Sequence, residues 1–457
     1  MYSLNCFKAY DIRGIVPDQL NPTLAYEIGR AYATIIDCKR VVIGHDIRLS
    51  GPDICQALAK GLLDSGVDVI DIGQCGTEEI YFAVPYFNAD GGICVTASHN
   101  PANYNGMKLV GKESRPISGD SGLNAIKICI AEQAFQPLAS EATETSKGNY
   151  QQQQPRPAYI EKLLSFIDVN ALKPLKIVVN PGNGGAGDVI DAIAPFLPFD
   201  FIKVNFKPDG HFPNGVPNPL LIENRAVTQQ AIIDHNADLG IAWDGDFDRC
   251  FFFDEKGEFI EGYYLVGLLA SQLLKAHPKE NIVYDPRLYW NTEVIVNQAG
   301  GNGIKSKTGH AFVKERMRLE NALYGGEMSA HHYFRDFYYC DNGNIPWLLI
   351  CQLLCTEKQS LSSLVAAKIA DFPCSGEINL TVNNSEKVLQ ALTTKYADEA
   401  LTVETIDGIG INFDTWRFNV RSSNTEPLLR VNVETRADKH LLSEKTNELL
   451  EFIRLVN

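Results

Sequence analysis

Two short runs in this chain carry residues that could do chemistry together. The first is Thr96-Ala97-Ser98-His99-Asn100-Pro101, which follows the apolar run Gly92-Ile93-Cys94-Val95. An apolar run giving way to small polar residues and then proline predicts a buried strand opening into a tight loop. Such a loop lifts the Ser98 hydroxyl out of a sheet, where a nucleophile is needed. The second run is Asp244-Gly245-Asp246-Phe247-Asp248-Arg249, set between Leu239-Gly240-Ile241-Ala242-Trp243 and Cys250-Phe251-Phe252-Phe253. Three carboxylates at alternating positions repel one another unless they share a cation. Oxygen-only ligands at this density suit a hard divalent ion such as Mg²⁺. The spacing to Glu255 imitates a calcium loop, but Arg249 fills the turn position that demands glycine, and strand-like runs stand where helices would be required. The planar fork of Arg249 matches phosphate oxygens instead. Either run alone also reads as a plain polar turn; it is their pairing that points to phosphate chemistry.

Two further loops offer groups for phosphate and sugar. Arg421-Ser422-Ser423-Asn424-Thr425-Glu426-Pro427 gathers a guanidinium, hydroxyls and an amide between strands, a donor set suited to a phosphate dianion. Gly326-Glu327-Met328-Ser329-Ala330-His331-His332 places a carboxylate and a hydroxyl two residues apart, on one side of an extended loop, as adjacent sugar hydroxyls require. Lys307-Thr308-Gly309-His310 and Lys8-Ala9-Tyr10-Asp11-Ile12-Arg13-Gly14 add cationic and hydroxyl groups.

The elements that must position these loops recur. Val41-Val42-Ile43-Gly44 leads into His45-Asp46-Ile47-Arg48, and that copy closes at the Ser98 loop. Lys176-Ile177-Val178-Val179-Asn180 opens a second copy, closing at the aspartate cluster; Asn281-Ile282-Val283-Tyr284 before Asp285-Pro286-Arg287 opens a third, closing at Glu327. Strands alternating with helical stretches predict βαβ units and largely parallel sheets, with ligands at the carboxyl ends of the strands. The Gln-rich stretch Gln151–Pro157 reads as a linker. The last stretch differs: Glu377–Val382 and Leu429–Val433 read as strands and Leu441–Leu455 as an amphipathic helix, predicting a separate α+β domain. Gly182-Asn183-Gly184-Gly185-Ala186-Gly187 fits G-x-G-x-x-G, but no acid ends the following strand, so a glycine-rich strand-to-helix turn is the better reading.

With 457 residues the chain is long for one core, and its hydrophobic fraction of 45% and charged fraction of 21% are those of an ordinary globular protein. A net charge of −15 argues against a nucleic-acid backbone as partner, so an anionic substrate needs a locally basic pocket. The eleven cysteines are scattered without C-x-x-C spacing, as expected of reduced thiols in a cytoplasm. No apolar run approaches membrane-spanning length and no signal pattern opens the chain, so no membrane association is expected.

These motifs, in their order and spacing, resemble the α-D-phosphohexomutase superfamily from end to end. K-A-Y-D-I-R-G, T-A-S-H-N-P, D-G-D-F-D-R, G-E-M-S-A-H and R-S-S-N-T-E-P carry the resemblance, and the G-E-M-S form is similar to the phosphomannomutase/phosphoglucomutase branch. The resemblance implies three similar mixed-sheet α/β/α domains followed by a smaller α+β domain, around a central active-site cleft. The expected divisions are 1–150, 151–255, 256–370 and 371–457. It also implies that Ser98 is carried as phosphoserine and, with Asp244, Asp246 and Asp248, holds Mg²⁺. Tyr10, Arg13, His99, Asn100, Lys108 and Arg249 would surround the transferring phosphoryl group. Glu327 and Ser329 would bind sugar hydroxyls; Arg421, Ser423, Asn424 and Thr425, with Arg430 nearby, would bind the non-reacting phosphate. Arg287 stands where the family has Lys or Arg, and His310 lies in its T-G-H loop. His331 is a candidate proton shuttle, with His332 and Lys108 as alternatives.

The implied reaction interconverts mannose 6-phosphate and mannose 1-phosphate through a hexose 1,6-bisphosphate, which also serves as activator, and feeds GDP-mannose and surface polysaccharide synthesis. Glucose phosphates are an alternative substrate. A phosphosugar is the expected partner, and the chain is expected to be a monomer or weak homo-oligomer. A serine phosphatase built on Ser98 is the rival, but a dedicated loop for a second phosphate would serve no purpose in hydrolysis. A sugar-phosphate binding protein would have no use for Ser98 and the aspartates.

Overall fold

A computed structural model describes residues 4–139, 147–422 and 428–457. The chain forms two compact units, Met1–Phe259 with Asp336–Lys358, and Ile260–Arg335 with Gln359–Asn457. The buried apolar runs of the sequence become strands, because an extended segment enclosed on both faces is rich in Val, Ile and Phe.

In the first unit, β1 (Ile12–Ile15), β2 (Arg40–His45), β3 (Asp68–Gln74), β4 (Gly91–Val95), β5 (Tyr104–Gly111) and β6 (Tyr150–Gln152) form a sheet ordered β1-β5-β4-β2-β3-β6. A second sheet holds β7 (Lys176–Asn180), β8 (Asp200–Lys203), β9 (Leu239–Trp243), β10 (Cys250–Phe253) and β11 (Phe259–Ile260), ordered β11-β10-β9-β7-β8. In the second unit β12 (Asn281–Tyr284), β13 (Asn302–Lys305), β14 (Tyr324–Gly326) and β15 (His332–Phe334) run β13-β12-β14-β15. β16 (Cys340–Asp341) lies in the returning segment of the first unit. A wholly antiparallel sheet, β17-β21-β20-β19-β18, closes the chain with β17 (Ile378–Thr381), β18 (Thr402–Glu404), β19 (Ile409–Asn412), β20 (Trp416–Ser422) and β21 (Leu428–Thr435).

The first three sheets repeat one arrangement. β4, β9 and β14 each pair in parallel with β2, β7 and β12, and antiparallel with β5, β10 and β15. The chemical loops leave the carboxyl ends of β4, β9 and β14, where parallel pairing gives way to antiparallel. This is where open α/β sheets bind ligands.

Helices cover these sheets. Pro22–Ile35 is capped by the Asn21 side chain, which accepts from Leu24 N at 3.0 Å, and carries proline in its first turn. It crosses Gly51–Asp64 so closely that a Cβ on Gly29 would lie 2.4 Å from Leu58 O, and one on Gly61 2.1 Å from Tyr26 O. The last helix, Lys439–Val456, is capped by Asp438 and buries Leu449 and Ile453, each worth about 1.5–3 kcal/mol. No helix among the described residues is long and apolar enough to cross a membrane.

The Gln-rich stretch is not a bare linker. Tyr150–Gln152 adds β6 in parallel to β3, and a helix begins at Arg156. All three residues of β6 are exposed, so backbone pairing at a sheet edge, with no apolar alternation, makes this strand.

Candidate active site

Ser98 is positioned by the loop that leaves β2. Asp46 Oδ2 accepts from Thr96 Oγ1 at 2.7 Å, and Thr96 Oγ1 accepts from Ser98 N at 2.9 Å. The buried Arg48 guanidinium donates to Pro101 O at 2.7 Å and Tyr104 O at 2.8 Å through Nη1. Through Nη2 it donates to Ser98 O at 2.9 Å and Asn100 O at 2.6 Å. Arg13 holds the far side, with Nη1 donating to Asn100 Oδ1 at 2.6 Å and Nε to Asp11 Oδ2 at 2.8 Å. Thus fixed, Ser98 adopts φ 49°, a left-handed conformation that a serine keeps only when its surroundings impose it. Phe247 (φ 48°) and Ala330 (φ 70°) do the same in the other two chemical loops.

Ser98 Oγ donates to Asp244 Oδ2 at 3.1 Å and lies 3.1 Å from His99 Nδ1. Arg249 grips Asp244 Oδ2 through Nε at 2.9 Å and Nη2 at 2.6 Å, and its Nη2 also lies 2.7 Å from His99 Nδ1. Arginine can only donate, so His99 Nδ1 is an acceptor without a proton. Burial, then the charges of Arg249 and Arg13, hold the His99 pKa well below its ordinary value.

The ligand oxygens of Asp244, Asp246 and Asp248 lie within 4.8 Å of one another, all buried. Lys108, on β5, reaches Asp246 Oδ2 at 2.7 Å and Asp248 Oδ2 at 2.5 Å, and Thr77 Oγ1 donates to Asp246 Oδ2 at 2.6 Å. Burial pushes the Asp246 carboxyl up, but Lys108 overrides it and holds the group well below the usual carboxylate range. Burial likewise disfavours the Lys108 ammonium, and Asp246 and Asp248 reverse this, raising its pKa. Asp246 Oδ1 is buried without a hydrogen-bond partner. An unmatched buried carboxylate oxygen in an oxygen-only donor set fits a hard cation. The aspartate loop meets the serine loop at Gly245, where a Cβ would lie 2.4 Å from Ser98 O.

The second unit carries its own cluster. Glu327 accepts from Tyr333 Oη at 2.5 Å and Gly309 N at 3.0 Å, which ties the G-E-M-S loop to the T-G-H turn. Arg287 Nη2 donates to Ser329 Oγ at 3.2 Å, while Asp285 holds its Nε at 3.0 Å and Nη2 at 2.9 Å. Met328 N donates to Asp285 Oδ2 at 2.8 Å, so one aspartate fixes both the arginine and the G-E-M-S loop. Glu377 gathers Arg287 Nη1 at 3.2 Å, Arg421 Nη2 at 3.5 Å and Arg430 Nη1 at 3.3 Å. Arg417, wholly buried, donates to Pro286 O at 2.9 Å, Arg287 O at 2.7 Å and Glu434 Oε1 at 2.8 Å.

The descriptions "Phosphoglucomutase/phosphomannomutase, alpha/beta/alpha domain I", "domain II" and "domain III" match residues 4–137, 157–257 and 261–372, and the "C-terminal domain" matches 377–451. A phosphomannomutase of Salmonella montevideo is 55% identical over 99% of this chain and 100% of its own length. A phosphomannomutase of Escherichia coli K12 is 54% identical with the same coverage. The crystal structure of a phosphoglucomutase/phosphomannomutase family protein from Burkholderia thailandensis has a TM-score of 0.88 at 32% identity, covering 99% of this chain and 98% of that one. This chain belongs to the phosphoglucomutase/phosphomannomutase family.

As a member of the phosphoglucomutase/phosphomannomutase family it is an enzyme of three α/β/α domains and a C-terminal domain, a mutase that transfers phosphoryl groups. Of the residues expected at its chemistry, Ser98, His99, Asn100, Arg13, Lys108, Arg249 and the three aspartates come together in the first unit. Glu327, Ser329, Arg287, Arg421 and Arg430 come together in the second. Tyr10 is half-buried in a turn closed by Lys8 N donating to Asp11 O at 2.8 Å. His310 and His331 lie 6.4 Å apart between ring centres, their planes tilted by 37°. His332 points elsewhere: its Nδ1 meets Tyr324 Oη at 2.6 Å, and burial, then His331, pulls its pKa down to about 3. Ser423, Asn424 and Thr425 lie outside the described residues. Sequence reasoning gave no role to Asp46, Arg48, Thr77, Arg417 or Glu377. A signal existed for Arg48: Asp46-Ile47-Arg48 and Asp285-Pro286-Arg287 are the same D-x-R turn in two copies. In each, the arginine N–H donates to the aspartate Oδ1, at 2.9 and 3.0 Å.

Proposed function

We propose that this enzyme interconverts mannose 6-phosphate and mannose 1-phosphate through a phosphoserine at Ser98 and a hexose 1,6-bisphosphate, which is also its activator. The observation that carries the proposal is Ser98 Oγ, 3.1 Å from Asp244 Oδ2 at the edge of a buried three-carboxylate cluster. The full-length relatives named phosphomannomutase support mannose as the sugar.

Transfer breaks the P–O bond to Ser98 Oγ as a new one forms to O1 or O6 of the hexose. Asp244, Asp246 and Asp248, with the Ser98 phosphate oxygens, would hold Mg²⁺, which supplies charge neutralisation for the phosphoryl oxygens. Arg249 and Arg13 add fixed positive charge beside Ser98. Lys108, with its raised pKa, stays a proton donor rather than a base. His99 keeps Nδ1 unprotonated, so it orients Arg249 and Ser98 Oγ. His332 is buried with its Nδ1 on Tyr324 Oη, and His331 is proposed to take the proton of the acceptor hydroxyl. Glu327 and Ser329 bind sugar hydroxyls with Arg287, His310 and Tyr10 alongside. Arg421, Arg430, Ser423, Asn424 and Thr425 take the non-reacting phosphate.

Domain divisions near 1–150, 151–255, 256–370 and 371–457 are proposed; the four sheets support their number, while β6 (Tyr150–Gln152) and β11 (Phe259–Ile260) run a few residues past the first two boundaries. The free cysteines support a reducing cytoplasm, where the product would enter GDP-mannose synthesis for surface polysaccharide. A monomer or weak homo-oligomer is proposed.

The test supplies mannose 1-phosphate and glucose 1-phosphate separately, with Mg²⁺ and a trace of hexose 1,6-bisphosphate. Formation of the 6-phosphates, faster from mannose, is expected. Release of inorganic phosphate instead would sink the mutase reading. A Ser98→Ala variant should lose turnover, and normal turnover there would sink the phosphoserine.

A further inference from the structure

A phosphate-binding cluster ought to carry net positive charge, and the one in the second unit does not. Arg287, Arg421 and Arg430 are matched by Asp285, Glu377 and Asp407, the last 3.7 Å from Arg421 Nε. Glu327, 3.7 Å from Arg287 Nη2, adds another carboxylate. A phosphate monoester arrives with a charge of about −1.5 to −2 and three acceptor oxygens, so one of these acids must give way.

The acids are not equally held. Asp285 is locked by two bonds to Arg287 and by Met328 N, and its side chain is 2% exposed. The Asp407 side chain is 8% exposed and that of Glu377 23%. Glu377 is the most exposed of these acids, its contacts of 3.2–3.5 Å are longer than those of Asp285, and it alone among them reaches all three arginines. It sits just ahead of β17, beside Gly376 at φ 66°, a joint that lets the backbone turn.

We propose that Glu377 is an internal occupant of the distal phosphate site. Its carboxylate draws Arg287, Arg421 and Arg430 together while no substrate is bound, and yields them when the non-reacting phosphate docks. The inference rests on the reading that Arg421 and Arg430 receive that phosphate. It gives the mutase something its reaction needs, because a bisphosphate that must turn around has to be released from its distal anchor in every cycle. A resident anion that competes for the same guanidinium groups keeps that anchor from becoming a trap. The arginines hold the Glu377 carboxyl, against its burial, below its ordinary range, so it stays ionised and ready to compete at neutral pH.

The experiment measures KM and kcat for both hexose 1-phosphates and the inhibition constant of inorganic phosphate in Glu377→Gln. The inhibition constant and KM should both fall about tenfold, with no gain in kcat because the bisphosphate is held longer. The fall should vanish in a Glu377→Gln/Arg421→Ala double variant. An unchanged or raised inhibition constant in folded Glu377→Gln overturns the proposal, since a merely structural carboxylate would weaken the site when removed. Glu377→Asp keeps the charge but shortens the reach; it should lower the constant by a smaller factor, and an unchanged constant there also overturns the proposal. Arg421→Ala with unaltered KM and inhibition would instead sink the distal-phosphate reading itself.

Discussion

Arg48 offers the sharpest test of how this site is built. Its guanidinium touches no reacting atom, yet it donates four hydrogen bonds of 2.6–2.9 Å to carbonyls between Ser98 and Tyr104. Hydrogen bonds from a charged donor are worth about 1.5 kcal/mol or more each, so four sum to roughly 6 kcal/mol before relaxation. Water and loop adjustment recover part of this in Arg48→Met, leaving a loss of about 3–4 kcal/mol. The loop would then relax away from φ 49° at Ser98, and displacement of a reacting group by about 1 Å costs on the order of 10²-fold in rate. Arg48→Met is therefore expected to lower kcat/KM about 100-fold while the rest of the molecule stays folded. Arg48→Lys, whose single ammonium cannot span four carbonyls, should lose roughly tenfold. The assay pairs steady-state turnover with the yield of phosphoserine from hexose 1,6-bisphosphate and a circular-dichroism melt. A folded Arg48→Met with kcat/KM within about threefold of the wild type would refute the claim that this arginine sets the serine loop.

Two further substitutions probe buried charge. Lys108→Met strips Asp246 and Asp248 of their ammonium partner, and removing one member of a buried pair costs about 3–5 kcal/mol. The folded pKa of Asp246 is depressed, so its stabilisation is present above the unfolded carboxylate value of about 4 and is lost as pH falls through the folded value. Lys108 has a raised folded pKa, so its share persists below about pH 10. Urea titrations should show a full gap between wild type and variant at neutral pH that shrinks below about pH 4, and a gap independent of pH would contradict the pairing. Arg417→Met leaves Glu434 buried without its partner and should cost about 3–5 kcal/mol in denaturant unfolding. It should also raise KM through the Arg287 backbone, and a loss under about 1 kcal/mol would count against that anchor.

The parts of this fold that could be read from sequence are those in which burial writes the pattern. β9 and β10 fall on Leu239–Trp243 and Cys250–Phe253 because both are enclosed on each face, leaving continuous apolar runs with the aspartate loop between them. The final helix was legible over Leu441–Leu455, and the structure extends it to Lys439–Val456 because Asp438 caps it. β6 was illegible because its three residues face solvent, which leaves no apolar alternation to mark a strand. The site divides in the same way. Ser98 and the aspartates announce themselves by residue type, since a hydroxyl and clustered carboxylates are the groups that a nucleophile and a cation site would use.

Arg48 and Arg417 could not announce their roles, because their partners are backbone carbonyls that every residue carries. Glu377 reads with the wrong sign, an acid set among three arginines. Adjacent histidines show the limit most plainly. His332 lies on β15 and turns inward against Tyr324, while His331 precedes the strand and lies beside His310. Side chains alternate along a strand, so one residue of register decides which of two identical rings is buried against Tyr324. That register is set by Gly326 pairing with His332, a backbone fact that composition does not carry. Chemistry in this family is thus written in side chains, but its placement is held by arginines on carbonyls and by strand register.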